Sequence, residues 1–354
     1  MTPAAAPLDA LRGWLREAGS PFAGVQGALQ LKGGQSNPTY RLDTGAGPVV
    51  LRKRPAGASS WAHDIRREHT VLSAMADADV LTPRPFDYCA DESIVGGEFY
   101  LMEFVEGRVI DDCRLPGIAR EERRPIYHSF AREVARLHAL DATALGLAGF
   151  GDPEGFVTRQ LSLHGRLFHS YCPDGEAHMA RLAELLPRHA PREGRAGIVN
   201  NDIRIGNAVL HPTEPRVVAL LDWEMATIGD TRVDASLLLL PYHLPAGHPQ
   251  GSLRGCDLDA EGLPEAQELL TCYEAEGTAS PLSDAGFFIA FNLFRYASVS
   301  AGIAHRYARG IAVADDASRY GATVAPTAKA ALDLAARSFA AGELAGDGKR
   351  AGER

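Results

Sequence analysis

The spacing of apolar residues along this 354-residue chain changes character several times. Leu11-Arg12-Gly13-Trp14-Leu15-Arg16-Glu17 has helical spacing and predicts an amphipathic first helix. From Gly27 the period shortens: Leu29-Gln30-Leu31-Lys32, a turn at Gly33-Gly34-Gln35-Ser36-Asn37-Pro38, then Thr39-Tyr40-Arg41-Leu42-Asp43 read as strand, turn and strand. A second turn, Thr44 to Pro48, leads into the strand Val49-Val50-Leu51-Arg52-Lys53-Arg54. Ile65, Val71, Leu72 and Met75 return to helical spacing until Thr82-Pro83-Arg84-Pro85 interrupts it, and Glu98 to Val105 reads as a strand that runs out at Gly107.

Beyond that point helices dominate. They are predicted from Arg120 to about Leu140, over Phe156 to Tyr171, over Ala177 to Leu186 with Pro187 and Pro191 closing it, over Leu263 to Glu276 and over Asp284 to Arg309. Two short apolar runs, near Ile198 and Val217, interrupt the series. After Ala341 no apolar period remains, and residues 341–354 read as a disordered tail. The pattern predicts an α+β protein of two lobes, a small β-rich lobe with a helix over 1–105 and a larger, mainly helical lobe over 106–340.

Composition narrows the partners. With 45% hydrophobic and 23% charged residues the chain is ordinary globular material. Its net charge of −9 argues against nucleic acid or an anionic membrane surface. Five cysteines without a Cys-x-x-Cys pair suggest neither a zinc site nor a disulfide framework. No apolar run approaches the roughly 20 residues of a spanning helix, and Met1 to Ala10 lacks the features of a secretion signal. A cytoplasmic protein is expected.

The chemistry concentrates between Ile198 and Glu224. Asn200-Asn201-Asp202 and Asn207 lie between the two apolar runs, and Asp222 follows the second. The spacing lets Asp202, Asn207 and Asp222 converge, as kinase folds require: one carboxylate receives the nucleophile's proton, while an amide oxygen and a second carboxylate hold magnesium on the phosphates. Upstream, Ser36 in a glycine turn could cover phosphates. Arg52, on the same strand face as Val50, could bind them as a cation, with Glu68 of the following helix as its partner. Glu103 to Val105 could meet an adenine ring through the main chain. Singly, these residues are also an ordinary hairpin turn, a solvated strand end and a charged helix face. Asp234 near a helix start reads as a cap or as a brace for the catalytic loop, and His138 as a satisfied core histidine.

Together, Gly34-Gln35-Ser36-Asn37-Pro38-Thr39-Tyr40, Phe99-Tyr100-Leu101-Met102-Glu103, Pro212-Thr213-Glu214-Pro215-Arg216 and Leu221-Asp222-Trp223-Glu224 resemble the aminoglycoside phosphotransferase and choline kinase-like superfamily. The likeness runs from about Leu29 to Arg309 and is nearest to the branch found fused to acyl-CoA dehydrogenases. The resemblance implies a two-lobed, protein-kinase-like fold that uses Mg²⁺ and ATP or GTP to phosphorylate a small molecule. On this resemblance Asp202 is the base, Asn207 and Asp222 are metal ligands, Ser36, Arg52, Glu68, Glu103 and Val105 belong to the nucleotide side, and Asn200 and Asp234 support the loop. Two departures stand out: relatives have His-Gly where this chain has Asn200-Asn201, and many have lysine where it has Arg52.

An enzyme transferring a γ-phosphate to a substrate hydroxyl is therefore expected, with a nucleotide-binding pseudokinase as the alternative. The interval between Asp222 and Asp234 is too short for the activation segment of a protein kinase. The fusion partner of related domains points to a hydroxyacyl compound or its CoA thioester, and to a functional link with an acyl-CoA dehydrogenase. Arg295, His305 and Arg306 are the candidate contacts for its anionic groups.

Overall fold

The computed structural model describes residues 8–31, 37–55, 64–192, 194–276, 282–310 and 317–350, with 340–350 described by backbone alone. The first lobe comprises α1 (Leu8–Glu17), β1 (Val25–Gln30), β2 (Thr39–Thr44), β3 (Gly47–Lys53), α2 (Ile65–Met75), β4 (Pro85–Cys89) and β5 (Phe99–Glu103). Its strands form an antiparallel sheet in the order β1-β2-β3-β5-β4. Successive side chains of a strand face opposite ways. Val49, Leu51, Phe99 and Leu101 enter a core shared with Leu11 and Leu15 of α1. Arg52 registers against Tyr100 on the other face of the β3–β5 pair.

That second face is covered by α2. The helix is capped by Asp64, whose side chain accepts the Arg67 N–H. Ile65, Val71, Leu72 and Met75 are buried in the core of the second lobe together with Tyr100. Arg67 Nη2 also donates to Phe150 O at 2.7 Å. Although α2 precedes the expected lobe boundary, its apolar face therefore packs with the helical lobe, which fixes Glu68 relative to the loops beyond residue 200.

The second lobe contains α3 (Arg120–Ala139), α4 (Phe156–Tyr171), α5 (Ala177–Arg188), β6 (Ala196–Val199), β7 (Ala208–Leu210), β8 (Val217–Leu220), β9 (Thr227–Asp230), α6 (Thr231–Leu237), α7 (Leu258–Glu261), α8 (Ala266–Glu274), α9 (Ala285–Ala308), α10 (Ala317–Tyr320) and α11 (Val324–Arg350). Among the described residues α9 alone is long and apolar enough to cross a membrane, but 78% of its apolar window is buried inside the fold. Its Asn292 Nδ2 donates to Val233 O at 2.8 Å and Ser236 Oγ at 2.7 Å, which ties it to α6.

Three helical expectations change. Pro187 does not close its helix but lies inside α5, which runs on to Arg188. The helix predicted over Leu263 to Glu276 begins only at Ala266: Gly262, at φ 70°, ends α7, and Glu265 and Glu268 form a capping box for α8. At the other end, the backbone of α11 is helical to Arg350, through most of the expected tail. Extending an existing helix avoids the cost of a new nucleus.

Candidate active site

Strand pairing brings two loops together. β6 pairs with β9, Val199 opposite Thr227, and β7 pairs with β8, Ala208 opposite Leu220. The loop Asn200 to Asn207 and the loop Leu221 to Ala226 thus leave adjacent strand ends and return to adjacent strand ends. Leu221 N–H adds a 2.7 Å bond to Asn207 O.

In the first loop Asn207 Nδ2 donates to Asp202 Oδ2 at 2.7 Å and to Asp202 O at 2.9 Å. Arg204 Nε lies 3.6 Å from the same Oδ2. Burial pushes the Asp202 carboxyl up to about 6; Arg204 and Asn207 pull it down, and Asp222 adds to the rise. A carboxylate so tuned is suited to accept a proton near neutral pH. Gly206 makes this packing possible, because a Cβ there would stand 2.4 Å from Arg204 Nη1 and 2.6 Å from Asp111 Oδ1, atoms that pair at 3.1 Å across the loop.

In the second loop Asp222 is left-handed, at φ 60°. Its Oδ1 lies 3.0 Å from Arg52 Nη2, and Glu224 Oε2 lies 3.2 Å from the same nitrogen. Arg52 Nε lies 2.8 Å from Glu68 Oε2. Burial opposes the Arg52 charge, but Glu68, Asp222 and Glu224 outweigh it and hold the guanidinium above its ordinary value. Burial also raises the Glu68 carboxyl, with Arg52 pulling the other way.

One cationic nitrogen satisfying both Asp222 and Glu224 marks where these carboxylates receive positive charge. Asn207 spends its amide N–H groups on Asp202, leaving Oδ1 as its remaining donor atom for a metal. Two carboxylates and an amide oxygen suit Mg²⁺, which takes oxygen ligands, keeps several waters and leans on substrate phosphates. Among the described residues no group of three His, Cys, Asp or Glu forms a complete protein cage.

The profile of the phosphotransferase enzyme family matches residues 27–263. The chain belongs to this family. It is 34% identical over 336 residues to mouse acyl-CoA dehydrogenase family member 10, covering 94% of this chain and 31% of that protein. The chain therefore spans about a third of that relative's length. A solved structure from Ralstonia eutropha JMP134, assigned as an aminoglycoside phosphotransferase, superposes with a TM-score of 0.83 at 34% identity, covering 94% of this chain and 99% of that one. Spectinomycin phosphotransferase APH(9)-Ia, solved with ADP and spectinomycin, shares the fold at a TM-score of 0.55 and 11% identity, over 96% of this chain and 99% of that one. The phosphotransferase fold and the likeness to the acyl-CoA dehydrogenase branch are thus both observed.

Within this phosphotransferase, Asp202 meets Asn207 and Arg52 meets Glu68, the pairs the sequence suggested, while the contact of Asp222 with Arg52 was not among them. Asn200 Nδ2 donates to Asp222 O at 2.9 Å while its Oδ1 accepts the Asp202 N–H at 3.0 Å. Asp234 is fully buried and receives the backbone N–H groups of Asn200 and Asn201 at 2.5 and 2.9 Å. The helix cap is Asp230, which accepts the Arg232 N–H, so Asp234 is the loop brace and not the cap. His138 lies behind it, with Nδ1 2.8 Å from the Tyr273 hydroxyl.

Other expectations shift. Ser36 lies outside the described residues. Glu103 N–H donates to Arg84 O at 2.8 Å, so β5 consumes the hinge donor proposed there; Val105 stands beyond the strand. Arg295 is a correction: it is 4% exposed, donates to Asn292 Oδ1 at 2.9 Å and reaches Asn201 O at 3.5 Å, beneath the loop instead of on an open substrate surface. His305 packs against Tyr171, 5.6 Å between ring centroids, and Arg306 is exposed. Ten residues of α9 separate Arg295 from His305, about 15 Å of rise, so one small anion cannot meet all three.

Glu224 and Asn37 were missed. Asn37 Nδ2 donates to Glu224 Oε2 at 3.2 Å. Glu224 was legible as an acid two residues after Asp222, but the spacing did not reveal that both face one point.

Proposed function

We propose that this phosphotransferase is a Mg²⁺-dependent kinase that moves the γ-phosphate of ATP or GTP to a small-molecule hydroxyl. The observation that carries the reading is the facing pair of loops: a half-buried Asp202 held by Asn207, and Asp222 and Glu224 converging on one cationic position. Asp202 receives the acceptor hydroxyl's proton at Oδ1 or Oδ2 as that oxygen attacks the γ-phosphorus, and the bond from that phosphorus to the bridging oxygen breaks to release ADP or GDP. Asn207 keeps the carboxylate oriented, and Arg52, pinned by Glu68, lies at the phosphate side of the cleft. Mg²⁺ held by Asn207 and Asp222, with Glu224 in reach, would neutralise charge on the nucleotide phosphates.

The acceptor class is a hydroxyacyl compound, as free acid or CoA thioester, and a functional link to an acyl-CoA dehydrogenase accompanies it. The support is the likeness to a relative named for that dehydrogenase family. A pseudokinase is the competing reading, drawn from Asn200, Asn201 and Arg52. Against it stands the use each residue finds: Asn200 bonds both loops, and Arg52 meets Glu68.

The test is a nucleotide-coupled screen of hydroxy acids, hydroxyacyl-CoAs, amino alcohols and aminoglycosides with ATP and with GTP, beside calorimetry of Mg²⁺-dependent nucleotide binding. Turnover with a hydroxyacyl compound, lost in Asp202→Asn, is the expected result. Nucleotide binding without turnover across the panel would establish the pseudokinase.

A further inference from the structure

Asn201 occupies a left-handed position, φ 68°. Glycine adopts this conformation freely, and asparagine is among the side chains that tolerate it best. If backbone shape were the whole requirement, the amide would have no work at this position. Instead the residue is 7% exposed and its Nδ2 donates to Met225 O at 3.0 Å. Its Oδ1 is buried without a hydrogen-bond partner, so satisfying the side chain itself does not account for the placement.

The neighbouring amide makes the matching contact. Asn200 Nδ2 donates to Asp222 O at 2.9 Å and approaches Leu221 O at 3.4 Å. Consecutive asparagines therefore hold the two carbonyls, Asp222 and Met225, that bracket Trp223-Glu224. Both anchors start from a fixed base, because Asp234 takes the N–H groups of Asn200 and Asn201 and Arg295 reaches Asn201 O. The loop being held includes a second strained residue, Asp222 at φ 60°, whose side-chain direction depends on that backbone conformation.

We propose that Asn201, acting with Asn200, is a positioning residue that clamps the loop of Asp222 and Glu224 to the loop of Asp202. The clamp sets the aim of the two carboxylates and so the affinity for the divalent cation. The inference rests on the kinase reading above. It makes Asn200-Asn201 a functional replacement for His-Gly, with Asn201 supplying both the left-handed backbone and a hydrogen bond that glycine lacks.

Asn201→Gly separates these two contributions, since it keeps the backbone conformation and removes the amide. The probe is Mn²⁺ bound together with a non-hydrolysable ATP analogue, followed by electron paramagnetic resonance. Wild type should give a well-resolved spectrum. Asn201→Gly should weaken Mn²⁺ about tenfold and broaden the spectrum, the effect typical of removing a group that orients metal ligands. Asn200→Ala should do the same, and Asn200→His should recover part of the affinity if the ring N–H reaches Asp222 O. The melting temperature of Asn201→Gly should remain near that of wild type.

Unchanged Mn²⁺ affinity and spectrum in Asn201→Gly would overturn the clamp and leave Asn201 a glycine substitute. Weakened affinity with a collapse in melting temperature would overturn it too, assigning the amide to the fold. If wild type binds no Mn²⁺-nucleotide, the kinase reading fails first and the clamp with it.

Discussion

Arg52 and Asp222 join the two lobes through a 3.0 Å contact between Nη2 and Oδ1, across a separation of 170 residues. The same guanidinium reaches Glu68 and Glu224, so one cation from β3 neutralises a helix acid and two acids of the cleft. Arginine suits this task because its planar fork carries several donors on one charge, where a lysine ammonium is a compact point charge.

Removing that cation leaves the buried Glu68 carboxylate unpaired, with the partly exposed Asp222 and Glu224 carboxylates facing it. Arg52→Met is expected to destabilise the protein by about 3–5 kcal/mol, the range for breaking a buried ion pair from one side. Arg52→Lys should retain part of this stability and lose contact with one or more of the acids. Urea unfolding of the three proteins checks the order, and a Met variant as stable as wild type would show that the hub contributes nothing net.

Asp202→Asn keeps shape and the contact with Asn207 while abolishing the basic oxygen pair. Turnover should fall by about 10²–10⁴, the usual contribution of general base catalysis. Nucleotide affinity measured by calorimetry should stay within about threefold of wild type, a shift below 1 kcal/mol. A parallel loss of binding would place Asp202 in the nucleotide site instead.

Asp222→Asn should raise the Mg²⁺ concentration needed for half-maximal turnover at least tenfold, about 1.4 kcal/mol, because it removes one of the negative charges proposed to hold the ion. Glu224→Gln should act in the same direction. Mg²⁺ titrations at saturating nucleotide make the comparison, and equal requirements in mutants and wild type would remove both residues from the metal site.

Two histidines make stability depend on pH. Burial lowers His164 to about 3, with Arg295 adding to the effect, and lowers His248 to about 4, with Arg319 adding. In the unfolded chain both titrate near 6.5. The unfolded state therefore binds more protons below that pH, so this stability is complete above about 6.5 and is lost as pH falls toward 4 and then 3. Each histidine contributes a slope approaching about 1.4 kcal/mol per pH unit within its window. Melting temperatures between pH 7 and pH 4.5 should decline less steeply in His164→Gln, and an unchanged slope would count against the buried neutral ring.

Much of the fold was legible in local pattern. The helical spacing of Phe156 to Tyr171 corresponds to α4 at both ends, because an amphipathic stripe is a property of consecutive residues. The alternation around Val50 and Arg52 also told which side chains share a face. The break at Gly262 and Glu265 depended on caps that compete with a continuous apolar pattern, and α11 continued beyond the last apolar period.

Sequence alone determined that Asp202, Asn207 and Asp222 form a phosphoryl-transfer spacing, that Arg52 and Glu68 are a cation and acid in the right order, and that Asn200-Asn201 stand where relatives have His-Gly. Tertiary structure decided what those residues touch. Only folding could bring Asn37 and Arg52 onto Glu224, bury Arg295 beneath the loop, and set the Asn201 amide against Met225 O. The physical reason is range: backbone conformation and facing are set by near neighbours, whereas a hydrogen bond between loops exists only after the β6–β9 and β7–β8 pairings align them.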